Sequence, residues 1–336
     1  MLRSKWHDQS AWQSHVLPAS IPEFPQLFAC NVADDYILRA SPTIKATRGS
    51  PVLQTLALSG EDVAADLSSH PSLARASQML CLAVIAGGCG EPPLQPRPPS
   101  EGAPHFTVMT YNIELGAKGE SRTLDGIGAV DADIACLQEV TPASELLMRE
   151  RYADLYPYQL FQSKGGAGGL AVLSRFPLED RGVLLAPEGW HPAWHVDVQA
   201  PGGLVQILNI HLRSLFSADT GPLRSYLSTD ADHLTEMKLF EQHRDDSLPA
   251  IVLGDFNEGV SGDAVQFLEE QGFRNLLPAF HPGQPTWRFP AVGGQLQKTY
   301  DHILADDSLQ PLNAWVETHG LSDHLPVIAH LQPATW

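Results

Sequence analysis

The chain has 336 residues, 43% of them apolar, enough for the core of one large globular domain or two ordinary ones. Its formal net charge of −18 is unevenly spread: of the totals of 21 Lys+Arg and 39 Asp+Glu, residues 1–100 hold 7 and 8, leaving 14 and 31 for residues 101–336, a net charge near −17. A surface that acidic repels long polyanions, which excludes a salt-resistant grip on duplex nucleic acid unless a basic patch or a bound cation reverses the field, and leaves short phosphate compounds open as substrates.

Residues 1–72 keep no sustained helix or strand period and are often broken by Pro, Ser and Ala, the mark of a poorly ordered region. Residues 73–89 run from Arg75 through an apolar stretch beginning at Met79 into Ala86, Gly87, Gly88 and Cys89. The segment is too short to span a bilayer but fits the hydrophobic region of a secretory signal. Its end resembles a bacterial lipoprotein signal, in which the cysteine is lipidated and becomes the first mature residue. On that reading Met1 lies upstream of the working start, residues 1–72 are absent from the mature protein, and residues 90–104 form a stiff proline-rich tether from a membrane anchor at Cys89 outside the cytoplasm. The alternative is a short buried helix or strand in a cytoplasmic chain. The four cysteines, Cys30, Cys81, Cys89 and Cys136, form no CxxC pair and no zinc-like spacing with histidine. Cys136, inside DIACLQEV, reads as a small buried hydrophobe.

Residues 105–336 read as one α/β domain. FTVMTYN alternates as a strand does, and DIACLQEV, GLAVLSRFP, HVDVQA, LVQILNIHL, PAIVLGDFN, TYDHILAD and PVIAHL are further short apolar runs bounded by Gly, Pro or Asp. Thr141 and Pro142 form an N-cap and first helical position ahead of ASELLMRERYADL. Thr229 with Asp232 caps a second helix, TDADHLTEMKLFEQH, in which Leu234, Met237 and Phe240 keep helical spacing. GGAGG, residues Gly165 to Gly169, precedes no helix and reads as a turn between strands rather than a phosphate cradle.

Several strands end on polar groups unsuited to a core: Asn112, Gln138 and Glu139, Asn209 and His211, Asp255 and Asn257, Asp301 and His302, and Asp323 with His324 before the last strand. If these ends share one sheet edge they make a single polar cleft. Carboxylate and amide oxygens without thiolate are the ligand set of a hard cation such as Mg2+, with Mn2+ as a substitute. Histidine adds a group that donates to a phosphoryl oxygen or moves a proton near neutral pH. The set suits hydrolysis of a phosphate ester. In an extended segment Asp255 and Asn257 project to one face while Phe256 anchors the other.

TYNIELG, CLQEV, NIHL, GDFN, YDHIL and SDHLPV occur in an order that resembles the endonuclease/exonuclease/phosphatase superfamily, over about residues 105–334. The resemblance implies a four-layer α/β sandwich, two mixed β-sheets flanked by helices, of the deoxyribonuclease I type. It implies Glu139 as the main Mg2+ ligand with Asn112 beside it and Asp323 helping, Asp255 as the group that activates water for a one-step attack on phosphorus, and Asn257 as its phosphate-orienting neighbour. It also implies that His211 and His324 bind the scissile phosphate, with Asp301 orienting His324. Arg213 is placed to touch a phosphate, or to solubilise the surface. No basic loops like those nucleases use to hold DNA are evident. The reading is a monomeric, Mg2+-dependent phosphodiesterase with a phosphate-ester substrate. A nuclease, a lipid- or inositol-phosphate phosphatase and a non-catalytic binding module are the alternatives. His233, His243, His281 and His319 read as surface or structural.

Overall fold

The computed structural model describes residues 92–116, 120–185, 191–214, 222–291 and 293–335. The readings of residues 1–72 and 73–89, and of Cys89 as a lipid carrier, lie outside these. No helix among the described residues is long and apolar enough to cross a membrane.

The strands are β1 (Phe106–Asn112), β2 (Ile134–Gln138), β3 (Tyr158–Gln162), β4 (Leu170–Ser174), β5 (Leu178–Leu184), β6 (Ala193–Ala200), β7 (Gly203–His211), β8 (Ala250–Asp255), β9 (Arg274–Asn275), β10 (Trp287–Ala291), β11 (Gly294–Lys298), β12 (Asp301–Ala305), β13 (Leu309–Val316) and β14 (Val327–Pro333). The helices are α1 (Glu120–Val130), α2 (Pro142–Arg151), α3 (Pro222–Glu241), α4 (Asp263–Glu270) and α5 (Leu276–Phe280). One six-stranded sheet has the order β13-β14-β1-β2-β4-β3, the other β5-β6-β7-β8-β12-β9, and β10 and β11 form a separate hairpin. Each sheet has a parallel pair at its centre, β1 with β2 and β7 with β8, and antiparallel neighbours around it. Helices α1 and α3 lie on the crossovers between those parallel partners, as a parallel pair requires.

The central strands are apolar on both faces because both faces are covered. Phe106, Val108, Ile134 and Cys136 of one sheet meet Val205, Ile207, Ile251, Leu253 and Ile303 of the other in the inter-sheet core. The alternate residues of β1 and β2, Met109, Tyr111, Ala135 and Leu137, pack against Leu124, Ile127, Met148 and Tyr152 from α1, α2 and the turn after α2. On the far side Ile210 and Val252 pack against Met237 and Phe240 of α3 and Val265 and Leu268 of α4. The result is the expected sandwich of two mixed sheets between helices.

Thr141 caps α2: its hydroxyl accepts from the Ser144 N–H while the Ser144 side chain accepts from the Thr141 N–H, and Pro142 opens the helix. Helix α3 departs from expectation, since it starts at Pro222 rather than at Thr229, which lies within it. Proline is well suited to a first helical turn, so Leu223, Tyr226 and Leu227 belong to the helix's own first turns. The proline-rich stretch does not hang free. The Leu94 N–H donates to the Ala279 carbonyl (2.8 Å), the Arg97 N–H to Leu312 (3.0 Å) and the Ser100 N–H to Gln332 Oε1 (2.9 Å).

Gly254 is the position where β8 cannot bear a side chain. Its φ is +146°, and an added Cβ would sit 2.0 Å from the Ile210 carbonyl oxygen of the parallel partner β7. Gly254→Ala is therefore expected to lower stability by about 3 kcal/mol through backbone strain and overpacking, read as a drop in the thermal unfolding midpoint.

Candidate active site at the carboxyl ends of the strands

The period-2 rule locates the site. On the inter-sheet face of β1 the sequence runs Phe106, Val108, Thr110, Asn112; on β2 it runs Ile134, Cys136, Gln138; on β7 Val205, Ile207, Asn209, His211; and on β8 Ile251, Leu253, Asp255. In each strand the inward positions turn from apolar to polar at the carboxyl end, and both parallel pairs end on the same rim. Asp301 opens antiparallel β12 directly opposite Asp255 in the ladder. The crevice beyond the carboxyl ends of parallel strands is where α/β sheets place their ligands.

Deepest are Gln138 and Asn209, both fully buried. Gln138 Nε2 donates to Asn209 Oδ1 (2.8 Å) and Thr110 Oγ1 (3.0 Å), while Asn209 Nδ2 donates to the Ala171 carbonyl (3.1 Å). They are a polar floor linking the two sheets, not ligands at the cleft surface.

Above the floor Asn112 Nδ2 donates to Glu139 Oε1 (3.1 Å) and Asp255 Oδ2 (3.0 Å). Asp255 Oδ2 is also 3.6 Å from both His211 Nε2 and His324 Nε2. Burial by itself would raise the Asp255 carboxyl, but His324, then His211, and the Asn112 amide and Asn257 N–H hold it below the usual range. Strand β8 stops at Asp255, and Asn257 has φ +51°, a left-handed turn that asparagine tolerates. Asn257 therefore does not continue the strand: its N–H donates to Asp255 Oδ1 (2.9 Å) and its Nδ2 to the Leu212 carbonyl (2.9 Å). Phe256 is fully buried, as expected. Glu139 is likewise left-handed, with φ +62°; such conformations cluster where function over-determines the backbone.

His324 Nδ1 is 2.8 Å and 3.0 Å from the two carboxylate oxygens of buried Asp301, and its own N–H donates to Ser322 Oγ. Burial opposes charge on this imidazole, yet Asp301 and then Asp255 outweigh it and push His324 up to about 10. Burial raises the Asp301 carboxyl to about 6 despite its partner. His211 Nδ1 is 3.0 Å from the Ala167 carbonyl in the GGAGG turn. A carbonyl only accepts, so Nδ1 carries hydrogen and Nε2 faces the cleft. GGAGG is thus the expected turn between two strands, and it also fixes a cleft histidine.

His302 does not join the cleft. It points to the opposite face of β12, fully buried, with Nδ1 near Asn275 Nδ2 (3.0 Å) and Nε2 near the Glu258 carbonyl (3.0 Å), and burial lowers it to about 4. The Asp323 carboxylate accepts from the Trp287 indole (3.0 Å). Arg213 pairs with Asp232 (3.2 Å), and its carbonyl lies 2.7 Å from Nε2 of buried His233. His233 Nδ1 meets Glu258 Oε2 at 3.2 Å, so this histidine ties α3 to the ends of β7 and β8. Sequence reasoning missed His191, whose ring stacks on His211 at 4.3 Å and 21° and is lowered to about 3 by burial and then by His211. No motif surrounds it, so no signal was there to find.

A model of the endonuclease/exonuclease/phosphatase family matches residues 109–324. The chain belongs to that family. The matched span opens inside β1 and closes on His324, so it contains every polar group of the cleft described above. The chain is 26% identical over 257 residues to "Uncharacterized protein YbhP" of Escherichia coli (strain K12), covering 67% of this chain and 96% of that one. Solved structures of similar fold include a humanized D. rerio TDP2 (TM-score 0.54, 15% identity, 68% of this chain and 98% of that one). Another is an endonuclease/exonuclease/phosphatase from Beutenbergia cavernae DSM 12333 (TM-score 0.52, 18% identity, 68% and 72%). D. rerio TDP2 complexed with single strand DNA product also matches (TM-score 0.52, 15% identity, 68% and 98%).

Members of such a family call for a divalent ion, and the donors present fit one. Glu139 offers a hard carboxylate ligand with no thiolate near, and Asn112 holds that carboxylate through Nδ2 while its own amide oxygen accepts from the Glu114 N–H (2.9 Å). Burial raises the Glu139 carboxyl, and His211 and Asn112 offset this only in part, so its negative charge is under-compensated where a cation would settle it. Asp255, Asp301 and His324 also have ligand atoms within 4.8 Å of one another. There, however, His324 Nδ1 is held against Asp301 at 2.8 Å, and the charged imidazole that the Asp301 and Asp255 carboxylates favour has no lone pair to give a metal.

Proposed function

We propose that the protein is a divalent-metal-dependent hydrolase of phosphate esters, a phosphodiesterase using Mg2+, in which Asp255 activates water for one in-line attack on phosphorus. The observation that carries it is the convergence of Asn112, Glu139, His211, Asp255, Asp301 and His324 on one rim, with Asp255 Oδ2 3.6 Å from both imidazoles. Asp255 takes the water proton as the new P–O bond forms, and the ester P–O bond breaks with its electron pair on the leaving oxygen, which takes a proton from solvent. Asn257 fixes the Asp255 carboxylate through its N–H and holds Leu212 with one amide hydrogen, leaving the other for a phosphoryl oxygen. His324, kept charged by Asp301, and His211, fixed by Ala167, face the phosphoryl oxygens. Glu139 with Asn112 would hold the metal, which neutralises charge developing on the phosphoryl group when bound. Asp323, one oxygen of which accepts from Trp287, would help hold the metal, and Arg213, two residues beyond His211 and paired with Asp232, is the cation placed to touch a phosphate.

The test is turnover of bis-p-nitrophenyl phosphate by the full chain. Activity is expected with Mg2+ or Mn2+ and none with chelator, and Glu139→Gln is expected to lose about 100-fold, in part recovered by raising Mg2+. Equal turnover with and without chelator would overturn the metal assignment. Plasmid DNA, sphingomyelin and inositol phosphates tested alongside separate the substrate classes. The acidity of residues 101–336 supports short substrates over long duplex.

A further inference from the structure

Beside His324 stands a set of rings that the hydrolysis above does not use. Trp287 opens β10 and forms a backbone bridge with His324; its indole N–H donates to Asp323 Oδ2 (3.0 Å), and the Arg288 N–H donates to the Asp323 carbonyl (2.9 Å). Tyr300 lies on it at 5.4 Å, tilted by 38°. Phe289, two residues on and on the same strand face, stacks with Trp287 at 5.8 Å and 11° and is 50% exposed. The rings therefore form a series fixed at its base to the residue before His324 and open at its outer end. An exposed phenylalanine held parallel to a rigid tryptophan presents a flat face suited to one more ring.

Charge and distance narrow the occupant. Two residues of strand separate Trp287, beside His324, from Phe289, or about 7 Å. That is the reach of one sugar between a phosphoryl group and a base. The net charge near −17 on residues 101–336 disfavours both a long polyanion and an anionic bilayer. Stacking on an aromatic face suits every base and needs no extended basic groove.

We propose that Trp287 and Phe289 form a stacking shelf for the base of a nucleotide whose phosphoryl group sits at the catalytic cluster, so that the site prefers small nucleotide esters over ring-free phosphate esters. This rests on the phosphate-ester reading of the cleft. The test is titration calorimetry of the full chain with Mg2+, comparing adenosine 5′-monophosphate with ribose 5-phosphate, which carry the same phosphate and sugar. The nucleotide is expected to bind about tenfold more tightly. Phe289→Ala should bring that ratio toward one, and Phe289→Trp should retain it; an exposed ring is a mild site for either change, checked by thermal melting. A wild-type ratio near one, or a tenfold ratio that survives in Phe289→Ala, overturns the shelf. Turnover of bis-p-nitrophenyl phosphate in the same preparation tells the two readings apart. Turnover with a ratio near one removes the shelf alone, whereas a tenfold ratio without turnover leaves a nucleotide site and removes the hydrolase.

Discussion

Asp255→Asn is expected to lower kcat for bis-p-nitrophenyl phosphate by about 10^4-fold while leaving the fold in place. The argument is one of donors and acceptors. In the native site Asp255 only accepts, from Asn112 Nδ2 and from the Asn257 N–H, with the His211 and His324 imidazoles 3.6 Å away as charge neighbours. An asparagine keeps the shape and one oxygen, so the Asn257 turn survives. Its amide nitrogen, however, meets the Asn112 amide as donor against donor, and no group remains to take a proton from water. The cost in stability is about 2 kcal/mol. Circular dichroism melting with a turnover assay separates the two effects. A variant that melts normally and keeps a tenth of the native kcat would show that Asp255 is not the base.

How much of this was readable follows from the strands. The central ones announce themselves because both faces are apolar and each ends on a polar inward position: Asn112, His211 and Asp255 stand out for that reason. The same rule applied strictly separates Asp301 from His302, since adjacent residues on a strand face opposite ways; grouping them as one strand end hid this. Edge elements were silent. β5 is largely exposed with charged residues in its middle, and the β10–β11 hairpin carries Gly, Gln and Pro, so neither shows a buried face. Helix α1 contains Gly126 and Gly128, which weaken a helical reading, yet an added Cβ at either would come within 3.0 Å of His319 or Tyr152. Those glycines are there for close packing, a tertiary cause that no local pattern shows. The same holds for His191 and for the Ala167 carbonyl, whose roles exist only once β4, β6 and β7 are assembled.

Asp301→Asn is expected to act through pH as well as rate. In the native protein burial disfavours the His324 imidazolium, and the Asp301 and Asp255 carboxylates reverse that, so His324 stays charged up to about 10. Activity that needs the imidazolium should hold through neutrality and fall as pH approaches that value. The asparagine removes the larger raising influence, the Asp301 charge, while its remaining oxygen still accepts from Nδ1–H and burial stays in place. His324 then loses its proton at lower pH, the alkaline limb moves toward neutrality, and each unit of movement costs about tenfold in rate above the new value. At about pH 8 the loss should reach about 100-fold, shrinking as pH falls. Stability has the same sign. A histidine raised above its unfolded value contributes stability below that value and loses it as pH rises through the folded one, so the native protein should weaken toward pH 10. Asp301, its carboxyl raised to about 6, costs stability as pH climbs from the ordinary carboxylate range to about 6 and adds no slope above it. Because His324 is then raised less, Asp301→Asn is expected to flatten the fall in stability between neutral and alkaline pH while shifting the rate profile to the acid side. A rate profile that keeps its alkaline limb, with activity lowered equally at every pH, would mean that Asp301 holds His324 in place without setting its charge.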